Sequence, residues 1–364
     1  MNAMRKKWLM KKFRIFFGNI KQSDKIAFIY DTDGDGTCSA ALMEYALRKK
    51  RGKGADLFLY PERGRKSITK ELQERIIKEK IGILFIFDIP VDNNREGLPS
   101  LKKLLKRRKV IKICEFDHHN MDNDLSRKYL FIKSILFERK YNDYCTTKLV
   151  HDFLSYFMDM GEKEWVTATG IISDCSKIFA SFIRRANRKY GAKKLISFSH
   201  FINTVYLKDE RHTIKAIRLM ASDKPFTTVS DMFRKYFSRN YNDVINESKK
   251  LQKKIEELDF SGEIIFADST AKYRTKAIVL EKTSEKYPHK TLLFYRRDKD
   301  GIHVSVRRKD GKVNTPELLK KSTEGMRGAT AGGHIVASGC YFPARYLKIF
   351  INNIRKYHDL YKIS

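Results

Sequence analysis

The chain has 364 residues, of which 42% are hydrophobic and 12% aromatic, so we expect two hydrophobic cores rather than one and exclude wholesale disorder. Lys and Arg number 75 against 43 Asp and Glu, and the formal net charge of +32 favours a polyanion such as nucleic acid as the partner. No apolar run approaches the roughly 20 residues of a membrane-spanning helix, and five scattered cysteines without a C-x-x-C pair favour a reduced, cytoplasmic protein without membrane contact.

The first half of the chain alternates short apolar runs with helical patterns. We predict buried strands at Ile26–Tyr30, Leu57–Tyr60, Ile83–Phe87 and Val110–Ile113, and helices at Ser39–Lys49, Thr69–Lys80 and Leu98–Lys106. This alternation is typical of an α/β domain with a doubly wound parallel sheet. In such a sheet the functional groups lie beyond the carboxyl ends of the strands.

The second half begins with a mostly helical region. Tyr241–Leu258 has the spacing of a long amphipathic connector helix. Beyond it we predict strands at Ile264–Phe266, Ala277–Leu280, Thr291–Tyr295 and Ile302–Val306, a glycine-rich loop at Gly325–Gly333 and a terminal helix at Ala344–Tyr357. These elements indicate a second, smaller α/β domain.

Acidic side chains follow several of the apolar runs. They are Asp31, Asp33 and Asp35 after the first run, Asp88 after the third, Asp117 with His118 and His119 after the fourth, and Asp174 after the helical stretch Val166–Ile172. Each group alone fits an ordinary turn. Together, at one sheet edge, the carboxylates would repel one another unless cations neutralised them. Carboxylate and imidazole ligands suit manganese or magnesium, and a pair of such ions suits phosphoryl chemistry.

These motifs resemble those of the DHH phosphoesterase superfamily. The four ordered motifs of that family are matched by Asp31-x-Asp33-x-Asp35-Gly36, Asp88, Asp117-His118-His119 and Asp174, and Gly332-Gly333-His334-x-x-Ala337-x-Gly339 resembles the signature of its associated DHHA1 domain. The resemblance implies a DHH catalytic domain at residues 1–190, a helical connector at 191–260 and a DHHA1 substrate-binding domain at 261–364.

The resemblance also implies a role for each residue. Asp33 and Asp35 bind separate metal ions (two Mn²⁺, with Mg²⁺ as the alternative), Asp88 bridges them, His118 and Asp174 complete the site beside Asp35, and Asp31 is an extra ligand or supporting acid. Asp117 orients an imidazole, and His119 contacts the scissile phosphate as a donor or general acid. In the second domain Ser305 and Arg307 contact phosphate, and Gly332, Gly333 and His334 approach a nucleotide end.

One departure from the family selects among its branches. The nanoRNase and pAp-phosphatase branch carries a histidine four residues before the first metal-binding aspartate, where this chain has Ile29 or Ala27. The chain is therefore most similar to RecJ-like single-strand exonucleases of the archaeal type. This implies a hydrolase that cuts single-stranded DNA or RNA from an end to mononucleotides, and it leaves a replication or repair protein as a candidate partner.

Two alternatives stay open at this point. The first is an enzyme for very short oligonucleotides, pAp or cyclic dinucleotides. The second is an inactive replication scaffold subunit that binds single strands without cutting them. Such scaffolds typically lose metal ligands, whereas Asp33, Asp35, Asp88, His118 and Asp174 are all present here.

Overall fold

The computed structural model describes residues 2–61, 67–93, 97–107, 111–299 and 301–363. The chain forms two compact units, Met1–Ser238 and Arg239–Ser364, and the division falls inside one long helix, Phe226–Glu256. Within the described ranges, no helix combines the length and the apolar character that crossing a membrane requires.

The first unit is built on a five-stranded parallel sheet. Its strands are β1 (Ile26–Tyr30), β2 (Leu57–Leu59), β3 (Ile83–Phe87), β4 (Lys112–Asp117) and β5 (Leu130–Lys133), in the order β2-β1-β3-β4-β5. Every residue of β1 and of β3 is buried, as their continuous apolar sequences predict. The strand order reverses between β1 and β3, and such switch points open a crevice at the carboxyl ends of the strands. The predicted parallel α/β sheet is confirmed.

The first unit also contains helices, the last of which continues into the second unit. They are α1 (Asn2–Gly18), α2 (Gly34–Arg51), α3 (Lys70–Lys78), α4 (Gly97–Arg107), α5 (Thr146–Ser155), α6 (Glu164–Ser173), α7 (Ala180–Tyr190), α8 (Ala192–Lys208), α9 (His212–Met220) and α10 (Phe226–Glu256). Helix α2 is buried over most of its length because α5, α6 and α9 pack around it. The predicted connector at Tyr241–Leu258 is the second half of α10, which begins fifteen residues earlier.

The last two strands of the first sheet differ from the prediction. The fourth strand was expected at Val110–Ile113; Val110 lies outside the described residues, and β4 continues through Glu115 to Asp117. Strand β5 was not predicted, because four residues that follow a polar segment carry too little periodicity. It pairs with β4 in register, so that Lys133 lies beside Asp117.

The second unit contains a mixed sheet and three further helices. Its strands are β6 (Ile264–Asp268), β7 (Thr291–Arg297), β8 (Ile302–Arg307), β9 (Thr330–His334) and β10 (Ala337–Phe342), in the order β6-β7-β8-β10-β9, with only β6 and β7 parallel. The helices are α11 (Lys276–Lys286), α12 (Thr315–Ser322) and α13 (Leu347–Tyr357). Successive residues of β7 belong to different apolar clusters: Leu292 is in the cluster that contains Val279 of α11, and Leu293 is in the cluster that contains Leu318 of α12.

Two predictions for this unit are wrong. Ala277–Leu280 is not a strand but part of α11, which buries Val279, Leu280 and Thr283 at helical spacing. A four-residue apolar run fits a buried strand and one face of a helix equally well, and here the charged residues that follow extend the helix. The predicted loop at Gly325–Gly333 is wrong in its last part, because the segment from Thr330 onwards, with Gly332 and Gly333, lies in strand β9.

Candidate metal centre

The carboxyl ends of β1, β3 and β4 bring the first acidic groups together. Asp88 is the first residue beyond β3, and its backbone N–H donates to the carbonyl of Phe116 in β4 at 2.9 Å. Its φ of 61° lies in the left-handed region, where aspartate and asparagine are tolerated better than most residues. Because β1 is the other neighbour of β3, the buried Asp88 side chain lies beside the residues that follow β1.

The residues after β1 turn sharply into helix α2. Asp33 is the N-cap of α2, and its Oδ1 accepts from the backbone N–H of Gly36 at 3.0 Å. A Cβ on Gly36 would lie 2.2 Å from the carbonyl oxygen of Asp31, so this tight turn requires glycine. The turn places Asp31 and Asp33 near Asp88, and Asp35 against the first turn of α5.

Helix α5 holds the Asp35 carboxylate from the other side. Its two oxygens accept from the backbone N–H groups of Thr146 and Thr147, each at 2.8 Å, at the first turn of α5. The Thr146 hydroxyl also donates to Oδ1 of Asp88 at 2.9 Å. Both threonines are fully buried. They have no motif context in the sequence, and prediction missed them for that reason.

His118 points one ring nitrogen at three of the acids. Its Nε2 lies 3.4 Å from Asp88 Oδ1, 3.9 Å from Asp174 Oδ1 and 4.0 Å from Asp35 Oδ2. Its Nδ1 lies 3.2 Å from the carbonyl oxygen of Asn142, which can only accept. A proton on Nδ1 therefore satisfies this contact and leaves the Nε2 lone pair facing the carboxylates, which is the arrangement of a metal-binding histidine.

A buried cysteine adds to this side of the cluster. Ligand atoms of Asp35, Cys145 and Asp174 all lie within 4.8 Å of one another. Asp174 ends helix α6, and its Oδ2 accepts from the Ser176 hydroxyl at 2.7 Å. Cys145 immediately precedes α5 and is completely buried. The sequence offered no signal for its place here, because it lies outside the acidic motifs.

Asp88 is common to the two halves of the cluster. Ligand atoms of Asp31, Asp33 and Asp88 lie within 4.8 Å of one another, and so do those of Asp88, His118 and His119. Since His118 also faces Asp35 and Asp174, all six predicted metal ligands lie in one connected group. The position of Asp88 at the junction is the one that a bridging carboxylate would need.

The carboxylates of this group are buried close together, which affects their pKa values. Burial and the neighbouring carboxylates raise the pKa values of Asp33 and Asp35 well above the ordinary value, and burial raises the pKa of Asp174 to about 6. Burial would also raise the pKa of Asp88, but contact with His118 outweighs it and lowers that pKa. The group therefore holds negative charge that protons or cations must neutralise. Carboxylates with one imidazole fit divalent manganese or magnesium.

His119 has a different partner. Its Nδ1 lies 2.7 Å from Oδ1 of the completely buried Asp117, and 31% of its side chain is exposed. The structure thus places the predicted pair Asp117 and His119 in direct contact, with the imidazole at the solvent side. A carboxylate that accepts from one ring nitrogen fixes the orientation of the ring.

Four predicted residues of the second unit, Ser305, Arg307, Gly332 and His334, share one face of its sheet, whereas Gly333 is in the row of Ser338 and the buried Val306. Ser305 of β8 is opposite Gly339 of β10, which is opposite Gly332 of β9, and Arg307, Ala337 and His334 form the next row. A Cβ on Gly332 would meet nothing within 4 Å. Arg307 donates from Nε to Glu281 of α11 at 3.2 Å, so it is an ion-paired residue at the border of this face.

The sequence was compared with known proteins. No protein-family model and no curated protein matches it. A solved DHH-domain protein, described as a member of a family of ribosomal proteins, is similar in structure with a TM-score of 0.76 and 16% identity, over 97% of this chain and 91% of that one. An exonuclease RecJ bound to manganese has a TM-score of 0.71 and 16% identity, over 96% and 94% of the two chains.

Two further similar structures extend the comparison. RecJ from Thermus thermophilus in complex with Mn²⁺ has a TM-score of 0.71 and 15% identity, over 97% of this chain and 55% of that one, so this chain spans about half of it. CDC45 from Entamoeba histolytica has a TM-score of 0.55 and 9% identity, over 96% and 98% of the chains. The resemblance that the motifs predicted is confirmed in the backbone: this chain has the fold of the DHH-domain proteins and of the RecJ exonucleases.

Proposed function

We propose that this chain is a metal-dependent phosphodiesterase that hydrolyses single-stranded DNA or RNA from an end to mononucleotides, as a RecJ-like exonuclease. The observation that carries the proposal is the convergence of Asp31, Asp33, Asp35 and Asp174 with His118 around the buried Asp88. The RecJ neighbours, crystallised with manganese or magnesium, support this choice among phosphoesterases.

The two halves of the cluster would hold one ion each. Asp31 and Asp33 would bind the first, Asp35, His118 and Asp174 the second, and Asp88 would contact both. When bound, a pair of Mn²⁺ or Mg²⁺ ions supplies a water of lowered pKa and neutralises charge on a phosphate. The Thr146 and Thr147 amides hold the Asp35 carboxylate in place for this role.

The remaining predicted residues would bind and orient the substrate. His119, held by Asp117, would donate a proton to a phosphate oxygen or to the leaving oxygen. In the second unit, Ser305 and the backbone of Gly332 and Gly333 would contact a nucleotide end, with Arg307 and His334 in the neighbouring row. The surplus of cationic side chains would attract a sugar-phosphate backbone.

A substrate-length series tests this function. With Mn²⁺ present, we expect end-labelled DNA or RNA of about 20 nucleotides to be shortened stepwise to mononucleotides. Activity only on substrates of up to about five nucleotides would instead show an enzyme that processes short oligonucleotides. Binding of long single strands without any release of nucleotides would support the scaffold alternative and contradict the proposal.

The affinity for Mn²⁺ should depend on pH. Without metal, the folded-state pKa of Asp174 is about 6, above its ordinary value of 3.8, so this group favours folding at low pH and opposes it as the pH rises through 6. A cation must displace that proton and any held by Asp33 and Asp35, whose pKa values are also raised, so below pH 6 the apparent affinity should fall at least about tenfold per pH unit. Calorimetric titration with Mn²⁺ from pH 5 to pH 8 measures this. An affinity that does not change between pH 5 and pH 6 would contradict the raised pKa.

Substitution of Gly332 should affect substrate and not folding. Since a Cβ at this position would meet nothing within 4 Å, Gly332→Val should leave the unfolding temperature within a few degrees of the parent. The added methyl groups would stand on the proposed nucleotide-binding face, and we expect KM to rise about tenfold or more with Mn²⁺ affinity unchanged. An unchanged KM would show that this face of the sheet does not bind the substrate. Gly325→Val is a poor control because Gly325 has a φ of 77°, whereas Gly18→Ala, also with open space around it, is a suitable one.

A further inference from the structure

A buried lysine lies next to the proposed site. Lys133 ends strand β5, is completely buried, and lies directly beside Asp117 across the β4–β5 pairing. Its ammonium group contacts Asp92 Oδ1 at 2.6 Å, Asp117 Oδ2 at 2.8 Å and the carbonyl oxygen of Asn120 at 3.0 Å. The contacts with Asp92 and Asn120 are hydrogen bonds, and the contact with Asp117 is an ion pair. The residue belongs to none of the sequence motifs.

The buried charge of Lys133 is not explained by a gain in stability alone. A buried ion pair often contributes no more to stability than well-packed apolar side chains would, because desolvation offsets the attraction between the charges. Such a pair does restrict where its members lie, since any other arrangement leaves a charge buried without a partner. Lys133 is the group that compensates the carboxylates of Asp92 and Asp117, both of them completely buried.

Asp117 connects this lysine to the proposed catalytic histidine. One carboxylate oxygen contacts the Lys133 ammonium at 2.8 Å, and the other contacts His119 Nδ1 at 2.7 Å. The Asp117 side chain therefore lies between the Lys133 ammonium and the imidazole, and its Oδ1 can accept the Nδ1 proton of His119.

The same lysine fixes the loop that follows His119. Lys133 binds the carbonyl of Asn120, and Asp92 Oδ2 accepts from the backbone N–H groups of Asp122 and Asn123 at 2.8 Å and 3.2 Å. The pair of Asp92 and Lys133 thus holds the backbone immediately beyond the histidines. Both the partner of the imidazole and the loop that carries it depend on one buried ammonium group.

We propose that Lys133 is a positioning residue for His119: through Asp117 it fixes the ring with Nδ1–H towards the protein, so that Nε2 is the nitrogen that faces the substrate phosphate and that, once it has taken up a second proton, donates it. The effect of Lys133 on catalysis rests on the proposed function. The position of the proton on the His119 ring does not, and it can be measured without substrate.

The test uses the full chain labelled with ¹⁵N-histidine. Ring nitrogen shifts distinguish the two neutral tautomers, and the His119 signals are assigned by their loss in His119→Gln. We expect the parent to carry the proton on Nδ1, and Lys133→Met to lose this preference, with kcat lower by about 10- to 100-fold at little change in KM or in Mn²⁺ affinity. A neutral His119 ring that carries its proton on Nε2 alone in the parent would overturn the proposal even if Lys133→Met did not fold.

A second buried lysine provides the matched control. Lys163 is 1% exposed and donates to the carbonyl of Ser222, and it contacts none of the proposed site residues. Lys163→Met removes a buried ammonium group that binds a carbonyl rather than a carboxylate, so it reports the loss of a buried cation without the unpairing of an acid. We expect it to keep the His119 tautomer and kcat. Equal effects of the two substitutions on the tautomer and on kcat would show that Lys133 is merely structural.

A double substitution tests the route through Asp117. Asp117→Asn offers His119 an amide in place of the carboxylate and should itself disturb the tautomer. If Lys133 acts through Asp117, adding Lys133→Met to this variant should change the tautomer and kcat no further. Full additivity in kcat would overturn the proposed route. A parent protein with the expected tautomer but no hydrolytic activity would contradict the proposed function and leave the positioning result standing.

Discussion

Asp88→Asn should abolish hydrolysis of single-stranded substrate, with kcat reduced by about 10³-fold or more. Asp88 is the acid common to both halves of the cluster, within 4.8 Å of ligand atoms of Asp31 and Asp33 on one side and of His118 on the other. An amide has one acceptor oxygen and no charge, so it cannot serve both halves at once. Calorimetry should show the Mn²⁺ stoichiometry falling from two to one or fewer.

Asparagine is the suitable replacement because of the backbone at this position. Asp88 has a φ of 61°, and asparagine tolerates that conformation better than alanine does. The metal-free variant should therefore unfold within a few degrees of the parent, which separates loss of chemistry from loss of structure. Full activity in Asp88→Asn would refute the two-metal mechanism. Loss of activity with both ions still bound would show that Asp88 acts on the substrate and not on metal binding.

Asp35→Asn and Asp33→Asn should differ in stability although both lose activity. Both oxygens of Asp35 accept backbone N–H groups of α5, and an asparagine NH₂ would face one of these donors without an acceptor. The buried, unsatisfied donor should cost about 1–3 kcal/mol, or several degrees of unfolding temperature for a domain of this size. Asp33 accepts from Gly36 as a helix cap, a role that asparagine fills equally well.

Thermal unfolding with and without Mn²⁺ measures the difference. Without metal, both substitutions remove a carboxyl group whose pKa burial and acidic neighbours raise, but only Asp35→Asn leaves a buried N–H donor without an acceptor, so Asp33→Asn should be the more stable variant. With Mn²⁺, both variants should gain less stability than the parent. Equal stabilities of the two variants without metal would show that the α5 amides do not depend on the Asp35 carboxylate.

The elements that could be predicted are those with strong local patterns. Ile26–Tyr30 and Ile83–Phe87 are continuous apolar runs and form β1 and β3 at the predicted bounds. Ala277–Leu280 has a similar composition over four residues, and it lies in a helix. A short apolar run records that a segment is buried, and only its packing partners decide whether it is helical or extended.

The acids of the site could be predicted for a related reason. Parallel strands that lie side by side end at the same edge, so Asp31, Asp88 and Asp117 had to approach one another once their runs were strands. Nothing comparable pointed to Thr147, Cys145 or Lys133. Thr147 meets Asp35 from 112 positions away, and Lys133 meets Asp92 from 41 positions away, on elements without a recognisable motif.

The amino-acid sequence by itself determined the class of the fold, the edge of the sheet where the acids gather and the family whose motifs they match. Only the tertiary structure decided which nitrogen of His118 faces the carboxylates, that Asp88 stands at the junction of two groups of ligands, and that a buried ammonium holds Asp117 against His119. The physical reason is the distance along the chain over which each kind of interaction acts. Apolar periodicity and turn preferences act over a few neighbouring residues, whereas tautomers, pKa values and ion pairs depend on contacts between segments that only folding brings together.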